Sequence, residues 1–237
     1  MTHVHKGSEK IFLAVLIFGS LWGLLDALFA SAWISRLAPF LFSKHVCTCA
    51  LTNVFWGFFI LTWAYGVYRK PFMLLGIGMI ATIFKVLNLI ILTLPVINGV
   101  TIYQPVINPA IGSLATSMIF TSVAIAFPAF LETNIVIRGI AGATAGLLTL
   151  AAFILLSFFV THTPPLVTSN PIQFMYPIHA PAAVLLGVIS LPSGYVFARR
   201  VENSGVFLFR KKVWLRYVEA SAIFAGCLGV SALALAA

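Results

Sequence analysis

Two charged side chains of opposite sign lie inside apolar stretches of the sequence. Asp26 occurs within GSLWGLLDALFASAW, and Lys85 occurs within ATIFKVLNL. If each stretch crosses a bilayer as a helix, the two side chains lie about 22 Å and 20 Å from the inner face, at a rise of 1.5 Å per residue. Because an isolated charge at such depth is costly, we predict that Asp26 and Lys85 form a buried pair or line one polar cavity. Both a structural pair and a pair that binds or transports a solute fit this pattern.

Other polar and aromatic side chains gather in the predicted outer half of the same segments. Aromatic walls with a few polar groups are typical of small-molecule sites, so these residues are candidates for ligand binding. Ser113 and Ser117 form a stripe with Thr121 at a spacing of four residues, and helix packing is the alternative role for such a stripe. The candidate ligand-binding residues are Trp22, Asp26, Asn53, Trp56, Lys85, Asn88, Ser113, Ser117 and His179.

A short run of metal-ligand types follows the first apolar segment. His45, Cys47 and Cys49 supply imidazole and thiolate groups, which bind zinc or copper. Three residues do not complete a closed site, although His162 and His179 are predicted on the same side and could add ligands. A bound metal ion is therefore an alternative that the sequence leaves open, and no other cofactor is predicted.

The sequence lacks the common short motifs of soluble enzymes. HExxH, GxSxG, a P-loop and a glycine-rich dinucleotide turn are all missing from the 237 residues. We therefore expect a protein that is not an enzyme.

The elements that must position these residues are membrane helices. Hydrophobic residues make up 61% of the chain and charged residues 8%, and the mean hydropathy is +1.08. Since each span needs about 20 apolar residues, the chain has room for six or seven. We predict an all-α, polytopic integral membrane helix bundle that forms a single transmembrane domain over 1–237. The seven predicted spans are 11–33, 48–68, 72–94, 110–130, 140–160, 180–198 and 217–236.

The distribution of positive charge predicts the orientation. With the N-terminus in the cytoplasm, inner segments hold eleven of the 14 Lys and Arg residues, and outer connectors hold only Arg36 and Lys44. The net charge of +9 is thus mostly explained by topology, so lipid headgroups or a docked cytoplasmic protein are the expected partners and nucleic acid is not. A cleaved signal peptide is the competing interpretation of the first segment, but its apolar run is long and contains Asp26.

Small residues at helical spacing predict close helix contacts. Such residues let two helix backbones approach each other within a membrane. The first span carries a ladder four residues apart, and the fifth span carries a pair with the same spacing. The predicted helix-contact residues are Gly19, Gly23, Ala27, Ser31, Gly142 and Gly146.

Three segments resemble a known class of transport proteins. FGSLWGLLDALF, ATIFKVLNL and VINPAIGSLATSMIF, within the first 130 residues or so, resemble prokaryotic membrane proteins similar to the substrate-binding S components of energy-coupling factor (ECF) transporters. The resemblance implies a six-helix bundle that binds a vitamin or metal ion near the outer face and joins a coupling subunit and cytoplasmic ATPases. It implies that Gly19 and Gly23 contact the partner. By the same resemblance, the residues near the ligand are Asp26, Asn53, Lys85 and Asn88.

These observations favour a small-solute-binding or transport subunit in a prokaryotic cell membrane, with its pocket in the outer half of the bundle. Two alternatives stay open. One is a structural or accessory subunit of a larger membrane complex, in which the small-residue faces contact other subunits. The other is a membrane metal-binding or redox protein that uses His45, Cys47 and Cys49.

Overall fold

The computed structural model describes residues 2–29, 48–91, 96–97, 100–101, 104–161, 175–203 and 213–236. These ranges are helical apart from short turns and one antiparallel pair of two-residue strands. Residues 27–29, directly after α1, are π-helical, and two further π-helical segments, π1 and π2, precede α-helices. The elements are α1 (Thr2–Asp26), α2 (Thr48–Thr52), π1 (Asn53–Gly57), α3 (Phe58–Tyr68), α4 (Pro71–Ile91), β1 (Val96–Ile97), β2 (Val100–Thr101), α5 (Gln104–Ala126), α6 (Pro128–Glu132), α7 (Ile135–Thr161), π2 (Met175–His179), α8 (Ala180–Asn203) and α9 (Val213–Ala236).

Five helical stretches in the described part of the chain are long and apolar enough to cross a membrane. This agrees with the predicted helical membrane protein. The apolar helix between the second and third stretches is shorter, over Pro71–Leu87. The five stretches are Glu9–Phe29, Ala50–Tyr68, Ile107–Ala126, Ile135–Val160 and Ala180–Glu202.

A tight turn joins α3 to α4. Arg69 adopts the left-handed conformation, with φ at 51°, and its backbone N–H donates to the carbonyl of Tyr65 at 2.8 Å. This is a common way to end a helix. Pro71 then begins α4, where its missing N–H costs nothing. The two helices therefore run antiparallel, as the short connection predicts.

The fourth apolar helix begins earlier than the sequence indicates. The fourth predicted span begins at residue 110, but α5 already begins at Gln104 and contains Pro109. Pro105 lies in the first turn of the helix, where a proline is tolerated. The helix also ends early, because Phe127 leaves the helical conformation and Pro128 begins the short α6.

The helices pack in a series of neighbours. α1 lies between α4 and α9, α4 packs on α5, α5 on α7, α7 on α8, and α8 on α3. Large aromatic side chains that are almost fully buried fill the space between α1, α3, α5 and α7: Trp22, Phe58, Phe120 and Phe153. On the opposite surface of α7, apolar residues such as Leu155 and Phe159 are exposed, as expected for a face that contacts lipid.

Small residues bring several of these helices together. A Cβ atom on Gly142 would lie 2.1 Å from the carbonyl oxygen of Gly187, so α7 and α8 touch backbone to backbone. Gly146 lies in the same way against Ala183. In α1, Gly19 contacts Ile80 of α4. Gly23 likewise contacts Phe84, Ala27 is buried, and Ser31 lies outside the described residues.

Candidate functional site

A buried ion pair lies between α1 and α4. The Nζ atom of Lys85 is 2.5 Å from Oδ2 of Asp26, and the two side chains are only 5% and 3% exposed. The pair predicted from the matched depths of these residues is therefore present. With water excluded, each charge depends on the other and on nearby dipoles for its stability.

The ammonium group of Lys85 has two further partners. It donates to Oδ1 of Asn53 at 2.7 Å and to the backbone carbonyl of Pro109 at 3.1 Å. An ammonium group carries three hydrogens, and three acceptors surround this one. Lys85 is thus fully paired within the protein. A ligand could bind the ammonium only by displacing one of these acceptors.

Asn53 connects π1 to α5 through its amide group. Its Oδ1 accepts from Lys85 and also from the hydroxyl of Ser113 at 2.9 Å. Because the ammonium can only donate, the amide oxygen must face it and the amide nitrogen must point away. A Cβ atom on Gly112 would lie 2.8 Å from that nitrogen. Gly112 therefore leaves the space that lets Asn53 reach the pair.

The backbone of α5 supplies the remaining acceptor. The carbonyl of Pro109 accepts from Lys85 and from the hydroxyl of Ser113, at 3.1 Å and 3.2 Å. We name Asp26, Asn53, Lys85, Ser113 and the Pro109 carbonyl the buried polar cluster. The sequence predicted its four side chains but missed Pro109 and Gly112. A signal for Pro109 was its position one turn before Ser113, on the same helix face.

Two buried polar atoms beside the cluster have no hydrogen-bond partner among the described residues. One is Oδ1 of Asp26, and the other is Nε1 of Trp22 on the preceding turn of α1. The indole ring packs on Gly57, where a Cβ atom would lie 2.6 Å from it, and Nζ of Lys85 lies 6.0 Å from its centre. Buried polar atoms are rarely left unpaired. The cluster therefore keeps one unpaired acceptor, on Asp26, and Trp22 beside it keeps one unpaired donor.

Two of the other candidate ligand-binding residues, Ser117 and Trp56, make contacts outside the cluster. Ser117 is buried against Gly78 of α4, and its hydroxyl donates to the carbonyl of Leu114. Trp56 packs against the ring of Phe29, with the ring centres 4.9 Å apart. His179 is buried at the end of π2. The backbone of Asn88 lies in α4, and its side chain is not among those that the structure describes.

The predicted metal ligands fall largely outside the described residues. His45 and Cys47 precede α2, and Cys49 lies in α2 without a described side chain. Among the residues that the structure describes, no group of three His, Cys, Asp or Glu residues could hold a metal ion. The metal alternative therefore stays a prediction.

A second polar contact, which the sequence did not predict, lies one residue before Pro109. The hydroxyl of Ser157 on α7 donates to Oδ1 of Asn108 at 2.7 Å, and both side chains are buried. This bond fixes the start of α5 to α7. The next residue along α5 is Pro109, whose carbonyl accepts from Lys85.

Arginine side chains collect at another part of the bundle, where predicted inner segments meet. Arg69 forms an ion pair with Glu132 at 2.8 Å, and both side chains are about half exposed. The guanidinium of Arg138 stacks 3.6 Å from the ring centre of Tyr195, whose hydroxyl accepts from Arg199 at 3.0 Å. Thus α3, α6, α7 and α8 bring charges together here, as their common assignment to the inner face predicts.

Apolar helices long enough to span a bilayer, with a charged cluster buried between them, define the class as a helical membrane protein. Comparison with protein-family models, with curated proteins and with solved structures found no match for this chain. The resemblance to the S components of ECF transporters therefore stays a prediction from the sequence.

Proposed function

We propose that the protein is a multi-pass subunit of a prokaryotic cell membrane that binds a small solute at the buried polar cluster and takes part in its transport. In this proposal seven helices span the membrane, the N-terminus is cytoplasmic, and the cluster lies toward the outer half. The observation that carries the proposal is the unpaired Oδ1 of Asp26 beside a fully paired Lys85. Ionisable residues within membrane helices commonly mark substrate or ion pathways.

The chemistry of the cluster favours a neutral solute that both donates and accepts hydrogen bonds. Lys85 and Asp26 cancel each other's charge, so a second net charge would be uncompensated there. The spare groups are a carboxylate oxygen, which accepts, and the indole N–H of Trp22, which donates. A hydroxyl or an amide group offers both complements.

A second candidate function is a structural or accessory subunit of a larger membrane complex. Two observations favour it. All three hydrogens of Lys85 are used inside the protein, as a purely structural pair requires. On α9, Ala222 is exposed and a Cβ atom on Gly226 would meet nothing within 4 Å, so this face is open to another subunit. The faces of Gly19 and Gly142, in contrast, are filled by α4 and α8 of the same chain.

Purification in mild detergent from the native membrane tests the first function against the second. We expect mass spectrometry of the extracted small molecules to find one solute that copurifies with the wild type but not with Asp26→Asn. Glu202→Gln is the matched control, because it removes one carboxylate charge from an exposed position on α8. Copurifying ATPase subunits would support the transport role. A stoichiometric respiratory partner, with no bound solute in any sample, would support the accessory role instead.

A further inference from the structure

An apolar groove runs along the surface between α7 and α8. It has a volume of about 650 Å³ and is lined by Ile140, Ala143 and Thr144 on α7 and by Val188, Ile189 and Pro192 on α8. Several residues that line the groove are exposed: Ile140 is 60% exposed and Ile189 is 46% exposed. Gly142 and Gly187 hold the backbones of α7 and α8 in contact next to this groove.

One end of the groove leads to positive charge. Arg199 follows Pro192 by seven residues and Arg200 follows Ser193 by seven, which is two helical turns, so both arginines continue the lining face of α8. Both are exposed, and α7 runs antiparallel and begins near this level, since Arg138 stacks on Tyr195. Arg199 uses one nitrogen to reach the Tyr195 hydroxyl. The same guanidinium lies 5.4 Å from the centre of the Tyr195 ring, and no ion pair holds Arg199 or Arg200 within the described ranges.

We propose that this groove is a binding site for an anionic phospholipid of the inner leaflet. One acyl chain lies between α7 and α8, and the phosphate contacts Arg199 and Arg200. Charge complementarity carries the assignment, because a neutral hydrocarbon chain would need no arginines at the mouth, and a soluble anion would need no apolar groove. Arginine suits this role, since its planar fork donates two hydrogen bonds to a phosphate. The predicted orientation places this end at the cytoplasmic face, where anionic lipids attract basic residues.

Native mass spectrometry of the detergent-solubilised full chain tests the site. The probes are dioleoyl phosphatidylglycerol, the neutral dioleoyl phosphatidylcholine, and glycerol 3-phosphate, which has the headgroup charge without acyl chains. We expect retention of phosphatidylglycerol in preference to the other two. Arg200→Gln should weaken that binding about fivefold, the effect expected for one basic residue near an anionic surface. Arg199→Gln should weaken it similarly.

The control variants distinguish binding at the groove from nonspecific attraction of anionic lipid to any positively charged residue. Lys10→Gln removes one exposed positive charge from α1, which does not pack on the groove, and should leave phosphatidylglycerol binding unchanged. Thr144→Phe fills the groove from an exposed position and should weaken binding without changing the charge. Each variant must elute from size-exclusion chromatography at the volume of the wild type and unfold at the same midpoint temperature. Equal binding of phosphatidylcholine, or equal effects of Lys10→Gln and Arg200→Gln, would overturn the proposal, as would equal retention of glycerol 3-phosphate.

Discussion

Two ion pairs in the described part of the chain have similar lengths and opposite surroundings. Arg69 and Glu132 approach to 2.8 Å with side chains that are 53% and 45% exposed. Lys85 and Asp26 approach to 2.5 Å with 5% and 3% exposed. The first pair keeps most of its contact with the surroundings, and the second depends on what the protein supplies. Their geometry alone would not reveal this difference.

The surroundings determine which partners each pair needs. Around Lys85 the protein provides an amide oxygen from Asn53 and a backbone carbonyl from Pro109. Around Asp26 it leaves one oxygen unpaired. Charge burial is therefore compensated on one side of the pair only, and this asymmetry is what distinguishes a candidate site from a simple contact between helices.

The largest effect should come from removing one charge of the buried pair. Lys85→Met leaves Asp26 buried without a counter-charge, so we expect the free energy of unfolding to fall by about 3–5 kcal/mol. Denaturation with sodium dodecyl sulfate in mixed micelles, followed by circular dichroism, measures it. Lys70→Met is the matched control at an exposed position of the α3–α4 turn. Equal losses for Lys85→Met and Lys70→Met would show that the buried pair is not isolated from water.

Removing both charges should reverse most of that loss. In Asp26→Leu with Lys85→Met, no charge is left buried, and such replacements of buried pairs are often neutral or even stabilising, in place of a loss of about 3–5 kcal/mol. The same denaturation measures this recovery. Solute copurification should nonetheless stay absent, because the acceptor on Asp26 is gone. A double variant that regains both stability and solute would contradict the proposed site.

Depth and residue type were enough to predict part of this site. A charge in an apolar segment needs a counter-charge at its own level, so Asp26 and Lys85 could be paired from the sequence alone. Asn53 and Ser113 were also among the candidates, because polar side chains in such segments need partners. The helical segments themselves followed from the 20-residue apolar runs, since hydrophobicity marks the middle of a helix better than its ends. For that reason the early start of α5 at Gln104 was missed.

The rest of the site depends on backbone geometry that residue types do not reveal. Every residue has a carbonyl, so only the three-dimensional position of Pro109 makes it a partner of Lys85. The π-helical segment π1 changes which way its residues face, and it places Asn53 at the cluster and Trp56 among aromatic rings. Ser117 and Ser113 share a stripe in the sequence, yet Ser117 packs on Gly78 and Ser113 bonds to Asn53.

A smaller fall in the free energy of unfolding should follow from crowding the Asn53 amide, which bonds to the buried pair. In Gly112→Ala the new methyl group would lie 2.8 Å from Nδ2 of Asn53, so the amide that holds Lys85 must shift. Overpacking of this kind costs about 1–3 kcal/mol. Gly226→Ala is the matched control in α9, where a Cβ atom meets nothing within 4 Å, and it should not lower the free energy of unfolding. A Gly112→Ala protein as stable as the Gly226→Ala protein would show that the cluster tolerates displacement of Asn53.

The smallest effect should come from the exposed pair, and salt should remove it. A double-mutant cycle with Arg69→Gln and Glu132→Gln should give a coupling energy of about 0.2–1 kcal/mol, as for other exposed pairs. At about 1 M salt the Debye length falls to about 3 Å, so this coupling should vanish. A corresponding cycle on Asp26 and Lys85 should keep its coupling at the same salt concentration, because ions cannot approach a pair that is 3% and 5% exposed. If salt weakened both couplings equally, the buried cluster would have to open to water, as a solute-binding site does when it exchanges its ligand.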